Sequence, residues 1–188
     1  MKVQAKVLIQ IRPKVPSQHR KHLNDSSDTN PAAETSKLTI WVDADACPNG
    51  IKDILLRTSK RLSLPLVFVA NQSVRIPQSS LVSLITVRDG ADVADDLIAE
   101  KVQPNDVVIT QDIPLAARVI EKDASAIGVR GQLYDDNSIQ SRLGTRNLME
   151  QFRAAGMETS GPKPLNQKDV QTFANALDRT LTKALRRR

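Results

Sequence analysis

Aromatic side chains make up only 3% of the 188 residues, so a core has to be assembled from Val, Ile, Leu and Ala. The single cysteine, Cys47, excludes an internal disulfide and a thiolate zinc site. Both histidines, His19 and His22, lie in the N-terminal stretch, which leaves no imidazole in the following region to activate a nucleophile. No apolar run approaches the ~20 residues of a membrane helix. The first residues lack the apolar stretch and small-residue cleavage site of a secretory signal. The expected location is therefore the reducing cytoplasm, with no membrane partner. No Gly-rich phosphate loop, dinucleotide fingerprint or internal repeat is present.

The net charge of +6 is unevenly distributed. Residues 1–24 contain Lys2, Lys6, Arg12, Lys14, Arg20 and Lys21 and no acid, so the remaining 21 bases balance the 21 acids. Arg186, Arg187 and Arg188 close the chain, and the body between the two basic ends is slightly acidic. Such ends either add sequence-independent phosphate affinity or are solvated extensions. Residues 3–11 alternate well enough for a strand, ended by Pro13 and Pro16. The Ser-, Asn-, Asp- and Thr-rich residues 17–37 read as a disordered linker. The expected division is a basic extension over 1–37 and one domain over 38–188, a size that buries about two-thirds of its unfolded surface.

Within that domain, apolar runs and helical periodicity alternate. Leu38-Thr39-Ile40-Trp41-Val42 reads as a strand buried on both faces, followed by Asp43-Ala44-Asp45 and a helix over 48–62 opened by Pro48. Leu66-Val67-Phe68-Val69-Ala70 is a second strand running into Asn71-Gln72-Ser73. A short helix is expected over 79–82, a strand over 84–87, a turn at Asp89-Gly90 and a helix over 91–102. A strand over 107–110 runs into Asp112 and a helix from Pro114, and a further strand spans 126–129 before Gly131. The C-terminal third reads as helices over 138–143, 145–155 and 166–187. The fold class is α/β, a central parallel sheet flanked by helices with a helical C-terminal region.

In a parallel sheet the strand-end groups share one rim, where open α/β folds bind ligands. Asp43, Asp45 and Asp112 stand at that rim, and Asp92, Asp95 and Asp96 share one face of the helix over 91–102. Carboxylates crowded together repel unless a cation joins them, and oxygen-only donors favour Mg²⁺ or Mn²⁺. Ordinary structural roles compete: Asp112 and Asp45 as helix caps, and Asp92, Asp95 and Asp96 as first-turn acids favoured by the helix dipole. Thr110 could bond a substrate phosphate or a metal-bound water. Asn71, Gln72, Ser73 and Arg75 after the second strand, and Arg130 after the fifth, could touch substrate. Cys47 reads as a small core residue.

Trp41-Val42-Asp43-Ala44-Asp45-Ala46-Cys47-Pro48, Val69-Ala70-Asn71-Gln72-Ser73-Val74-Arg75-Ile76-Pro77, Asp92-Val93-Ala94-Asp95 and Val108-Ile109-Thr110-Gln111-Asp112-Ile113-Pro114-Leu115-Ala116 resemble the YaiI/YqxD family of bacterial proteins. The likeness runs from about Leu38 to at least Ala176. That family is in turn similar to the PIN-like nuclease superfamily. This more distant resemblance implies a metal-binding acidic cluster in which Asp43 is the first acid, Asp92 or Asp95 the middle one, and Thr110-Gln111-Asp112 carries the third. The glutamate usual at the middle position is absent.

The expectation is an Mg²⁺- or Mn²⁺-dependent phosphodiester hydrolase acting on RNA. Asp43 and Asp112 would hold the metal, Asp92 or Asp95 would complete the site and Asp45 would orient the water. Two rival readings are a non-catalytic RNA-binding or adaptor protein, and an aspartyl-phosphate phosphotransferase using Asp43 and Asp45.

Overall fold

A computed structural model of the chain describes residues 38–87, 90, 92–156 and 163–187. The strand expected over 3–11, the linker over 17–37 and Asp89 of the expected turn lie outside the described residues. Five strands run parallel: β1 (Ile40–Asp43), β2 (Leu66–Ala70), β3 (Val82–Thr86), β4 (Val107–Ile109) and β5 (Ser125–Ile127). They are joined through α1 (Asn49–Leu62), α2 (Val93–Lys101) and α3 (Ile113–Ile120). A sixth strand, β6 (Leu133–Tyr134), pairs antiparallel with β5, and α4 (Asp136–Ala154) and α5 (Gln167–Arg186) follow.

The sheet order is β3-β2-β1-β4-β5-β6. The chain works outward from β1 in one direction, then returns to the other side of β1 with β4. The order therefore reverses between β1 and β4, and the helices that follow these two strands leave the sheet on opposite faces. In open α/β folds a crevice forms at such a reversal, beyond the strands' C-terminal ends.

Alternation along the strands sorts the core into two layers. Ile40, Val42, Leu66, Phe68, Val107, Ile109 and Ile127 face α1 and α5 and pack with Ile51, Leu55, Phe173 and Leu177. Trp41, Val69, Val108 and Ala126 face the opposite way, toward Leu97 and Ile98 of α2, Leu115 and Val119 of α3 and Ile139 of α4. By the same period of two, Asp43 lies on the α2–α3 side. Among the described residues no helix is long and apolar enough to cross a membrane.

Several expected boundaries are corrected. The short helix over 79–82 is absent: Ser79 and Val82 form an isolated bridge, and Val82 already starts β3, because β-branched and apolar residues there pair with β2. The sheet is mixed, since Leu133 and Tyr134 supply an antiparallel edge too short to give a periodicity signal. The two helices expected over 138–143 and 145–155 are one, α4, which passes through Gly144 without interruption. An added Cβ at Gly144 would meet nothing within 4 Å, so this glycine answers to no turn. Gly131 is different: its φ is +81°, and a Cβ would sit 2.7 Å from the Thr172 carbonyl, so only glycine lets α5 approach the loop after β5.

At the opposite end of the sheet from the crevice, Asp106 is 3% exposed and accepts three hydrogen bonds. Oδ1 takes the Thr39 N–H at 2.8 Å, while Oδ2 takes the Trp41 indole N–H and the Gln103 N–H, both at 3.0 Å. This carboxylate ties the start of β4 to the start of β1. Replacing it strands three donors in a dry environment, so Asp106→Ala is expected to lose about 3 kcal/mol, read as a lower urea midpoint. Asp106→Asn, which keeps an acceptor oxygen, should lose less. An unchanged midpoint in the alanine variant would show that the three bonds add nothing to stability.

Candidate acidic site at the sheet's switch point

The site begins where β1 and β4 end. Thr110, 1% exposed, follows β4 and donates its hydroxyl to Asp43 Oδ2 at 3.2 Å. The same Oγ1 accepts the Asp112 N–H at 2.9 Å. Asp112 in turn caps α3: its Oδ1 accepts the Leu115 N–H at 2.9 Å, just past Pro114 in the helix's first turn. One hydroxyl thus links the first acid to the loop that carries the last. Asp112 is both a helix cap and a member of the rim, and the cap bond occupies one of its two oxygens.

Asp45 does not cap α1, whose N-terminus at Pro48 has no side-chain cap. Its Oδ2 instead accepts the Asn71 N–H at 2.7 Å, pinning the loop after β2 to the loop after β1. Beside it, Gln111 Nε2 donates to the Ala46 carbonyl at 3.1 Å. Three strand-end loops are therefore stitched to one another around Asp43.

The helix acids separate. Asp95, half-buried on α2, lies close enough to Asp43, Asp112 and Asp92 to feel their charges. Asp96, on the neighbouring surface, pairs with Arg118 at 2.8 Å and is exposed. Asp92 sits at the N-cap of α2, exposed and without a side-chain cap bond. Of the three, Asp95 is the one that the fold couples electrostatically to both Asp43 and Asp112.

Burial and crowding leave this rim short of positive charge. Burial pushes the Asp43 carboxyl above its ordinary range, the bonds from Thr110 and the Ala46 N–H pull it back, and the charges of Asp45 and Asp112 push it up again. Asp95 is raised to about 6, first by burial and then by Asp43, Asp112 and Asp92, with Arg118 opposing. Cys47 is buried in the core, as expected, and its thiol is pushed up to about 12 by burial, which makes it a poor nucleophile.

Asn71, Gln72, Ser73 and Arg75 lie on an exposed loop, anchored by Val74 and Ile76, which pack against the core. Arg130 is committed elsewhere: its guanidinium donates to Asp169 of α5 and to the Lys163 carbonyl. It fastens α5 to the loop after β5. Tyr134 was not singled out from sequence. It is 5% exposed, within electrostatic reach of Asp112, with the Arg142 guanidinium 5.4 Å over its ring. A lone tyrosine on a two-residue strand carries no pattern that would have drawn notice.

Among the described residues, no three Asp, Glu, His or Cys side chains are arranged to enclose a metal ion. Mg²⁺ does not require such a cage: it keeps several waters and is commonly held by one or two carboxylates plus substrate phosphates. Hard oxygen donors with uncompensated negative charge fit that mode of binding.

An open α/β sheet with acids at its switch point defines the class of protein. Within it, the sequence model described as "Uncharacterized BCR, YaiI/YqxD family" matches residues 41–183. A UPF0178 protein of Hydrogenovibrio crunogenus is 50% identical over 149 residues, covering 79% of this chain and 99% of that protein. A UPF0178 protein of Shewanella sp. (strain ANA-3) is 53% identical over 144 residues, covering 77% and 96%. One from Acidithiobacillus ferrooxidans is 52% identical over 145 residues, covering 77% and 99%. The chain belongs to the YaiI/YqxD family. No solved structure matches it significantly.

The raised carboxyl of Asp95 has a consequence for stability. An acid with a higher pKa folded than unfolded opposes folding when ionised, so its penalty is full above about 6 and fades toward its ordinary 3.8. In metal-free buffer, Asp95→Asn is expected to stabilise the protein at pH 7.5 by about 1 kcal/mol, after allowance for solvent screening. That gain should shrink as pH falls to about 4. Denaturant titrations of both proteins across this range provide the check, and a gain independent of pH would contradict the assignment.

Proposed function

We propose that this protein is a metal-dependent phosphodiester hydrolase that acts on RNA, with Asp43, Asp95 and Asp112 at its centre. The observation that carries this reading is the Thr110 hydroxyl joining Asp43 at the end of β1 to the Asp112 loop after β4, at the sheet's switch point and with Asp95 close by. The resemblance of Asp43 and of Thr110-Gln111-Asp112 to the first and third acids of PIN-like nucleases supports it. Asp43 and Asp112 would hold Mg²⁺ or Mn²⁺ directly, since Asp43 ends β1, which pairs with β4, and Asp112 caps the helix that follows β4. Asp95, whose carboxyl is raised to about 6, would complete the site or take a proton from the attacking water. Asp92 is the alternative middle acid, one turn earlier and more exposed.

When bound, the ion supplies charge stabilisation at the attacked phosphate and lowers the pKa of water. The chain's own contribution is positional. Thr110 orients Asp43 through its hydroxyl and the Asp112 loop through its Oγ1. Asp45 Oδ2 holds the Asn71 backbone, so it shapes the loop bearing Ser73 and Arg75, and its remaining lone pairs would orient water. Arg75, exposed on that loop, would meet a phosphate, whereas Arg130 is engaged with Asp169. Asn71 would contribute through its side-chain amide.

Calorimetric Mn²⁺ titration of wild type, Asp43→Asn and Asp112→Asn, each checked for cooperative melting, is the direct test. Wild type should bind Mn²⁺, both variants should lose binding, and RNA hydrolysis in each should fall below about 1% of wild type. Folded wild type that binds no Mn²⁺ even with RNA present would exclude the reading and favour a non-catalytic RNA-binding or adaptor role. Thr110→Val removes only the linking hydroxyl. It should weaken Mn²⁺ binding ~10- to 100-fold, as loss of an orienting partner does, while Thr110→Ser should restore it.

A further inference from the structure

We propose that the exposed face of α5 carrying Arg179, Lys183, Arg186 and Arg187 binds the phosphodiester backbone of an RNA strand at a site separate from the acidic rim. In naming RNA, the inference rests on the preceding reading. The phosphate-binding face itself rests on α5 alone.

At 3.6 residues per turn, these four side chains fall within an arc of about 100° and extend about 12 Å along the axis. All four residues are exposed, and they line a surface depression of about 460 Å³ together with Asp178 and Thr182. Asp178 is neutralised by Arg61 of α1 at 2.8 Å. Among the described residues none of the four cations has an acidic partner, which is also true of other exposed cations such as Lys60 and Arg153; the four differ in sharing one face of one helix.

Helix physics accounts for only part of this arrangement. Like charges three and four residues apart, as in Arg179–Lys183, Lys183–Arg186 and Lys183–Arg187, disfavour a helix. The dipole rewards cations in the last turn and at the C-cap, which covers Lys183, Arg186 and Arg187 but not Arg179, about two turns earlier. A lipid surface is disfavoured as the occupant. The apolar face of α5, with Phe173, Leu177 and Leu181, is already buried against the sheet, leaving no apolar stripe to insert.

The stripe also lies at a distance from the rim. α5 starts beside the loop after β5, where Arg130 meets Asp169, and runs down to the level of Arg61 in the last turn of α1. α1 itself leaves the rim just after β1 and is about 21 Å long. An RNA touching both sites must therefore span several nucleotides, and the stripe would favour long strands over short ones.

The test uses fluorescence anisotropy of a ~20-nucleotide unstructured RNA in EDTA, with the full chain, between ~50 and ~200 mM salt. The proteins are wild type, an Arg153→Gln control on the exposed surface of α4 and the combined Arg179→Gln, Lys183→Gln, Arg186→Gln, Arg187→Gln variant. Arg153→Gln should bind as wild type does. The fourfold variant should bind at least ~10-fold more weakly at low salt, and its slope of log affinity against log salt should be shallower by about 2.8, at 0.7 per phosphate contact. If that variant melts non-cooperatively, Arg179→Gln with Lys183→Gln should flatten the slope by about 1.4. An unchanged slope would overturn the proposal and place RNA binding elsewhere, as would wild type that binds no RNA at low salt. Binding to phosphatidylserine vesicles that is lost in the variant while RNA binding stays intact would overturn it in favour of a lipid surface. Absence of Mn²⁺-dependent cleavage alongside the expected slopes would reject the hydrolase reading and leave the α5 site standing.

Discussion

The pairing of β1 with β4 is the constraint on which the rest depends. These strands are adjacent in the sheet but far apart in sequence, and a single side chain ties them at each end. Below, the buried carboxylate of Asp106 gathers donors from Thr39, Trp41 and Gln103. Above, the Thr110 hydroxyl reaches Asp43 and receives the Asp112 N–H. Because the strand order reverses at this pair, α1 and α3 leave on opposite faces, and the crevice between their starts is a product of topology. The acids stand at its mouth because β1 and β4 end there together.

Holding several carboxylates at that mouth opposes folding. Burial raises both Asp43 and Asp95; the charges of Asp45 and Asp112 add to it at Asp43, against the bonds from Thr110 and Ala46, and those of Asp43, Asp112 and Asp92 add to it at Asp95. The fold limits the repulsion with neutral donors more than with cations. Thr110 and the Ala46 N–H serve Asp43, the Leu115 N–H serves Asp112, and the Asn71 N–H serves Asp45. The nearest arginine, Arg118, spends its ion pair on Asp96 and only partly offsets Asp95. A site assembled for stability alone would place a cation inside it; unbalanced charge of this kind is characteristic of functional sites.

The molecule separates charge along its length. Acids collect at the C-terminal rim of the sheet, and the cations of the second half of α5 lie toward its other end. The high isoelectric point of about 9.7 thus conceals an acidic centre within a body whose charges otherwise balance. For a strand of RNA, such a layout would attract the backbone at one end and present scarcely compensated carboxylates at the other, where a divalent cation could join protein and phosphate.

What the sequence determined by itself is whatever local chemistry is strong enough to dictate. Apolar runs at Ile40–Asp43, Leu66–Ala70 and Val107–Ile109 could be little other than buried strands, and the 3.6-residue period of α5 is unambiguous. Asp43, Thr110 and Asp112 were legible as rim residues because each follows such a strand. Tertiary structure decided what depends on distant partners. It paired Asp96 with Arg118, brought Asp95 within reach of the charges of Asp43 and Asp112, turned Asp45 from an expected helix cap into a clasp on Asn71, and drew Arg130 to Asp169. It buried Asp106, which in sequence looks like any turn aspartate. It also carried α4 through Gly144 and added β6, since neither a permissive residue nor a two-residue strand holds enough local energy to announce itself. Local signals specify which segments are apolar and how they are wound. Only the closing of long-range pairs determines which polar side chains meet.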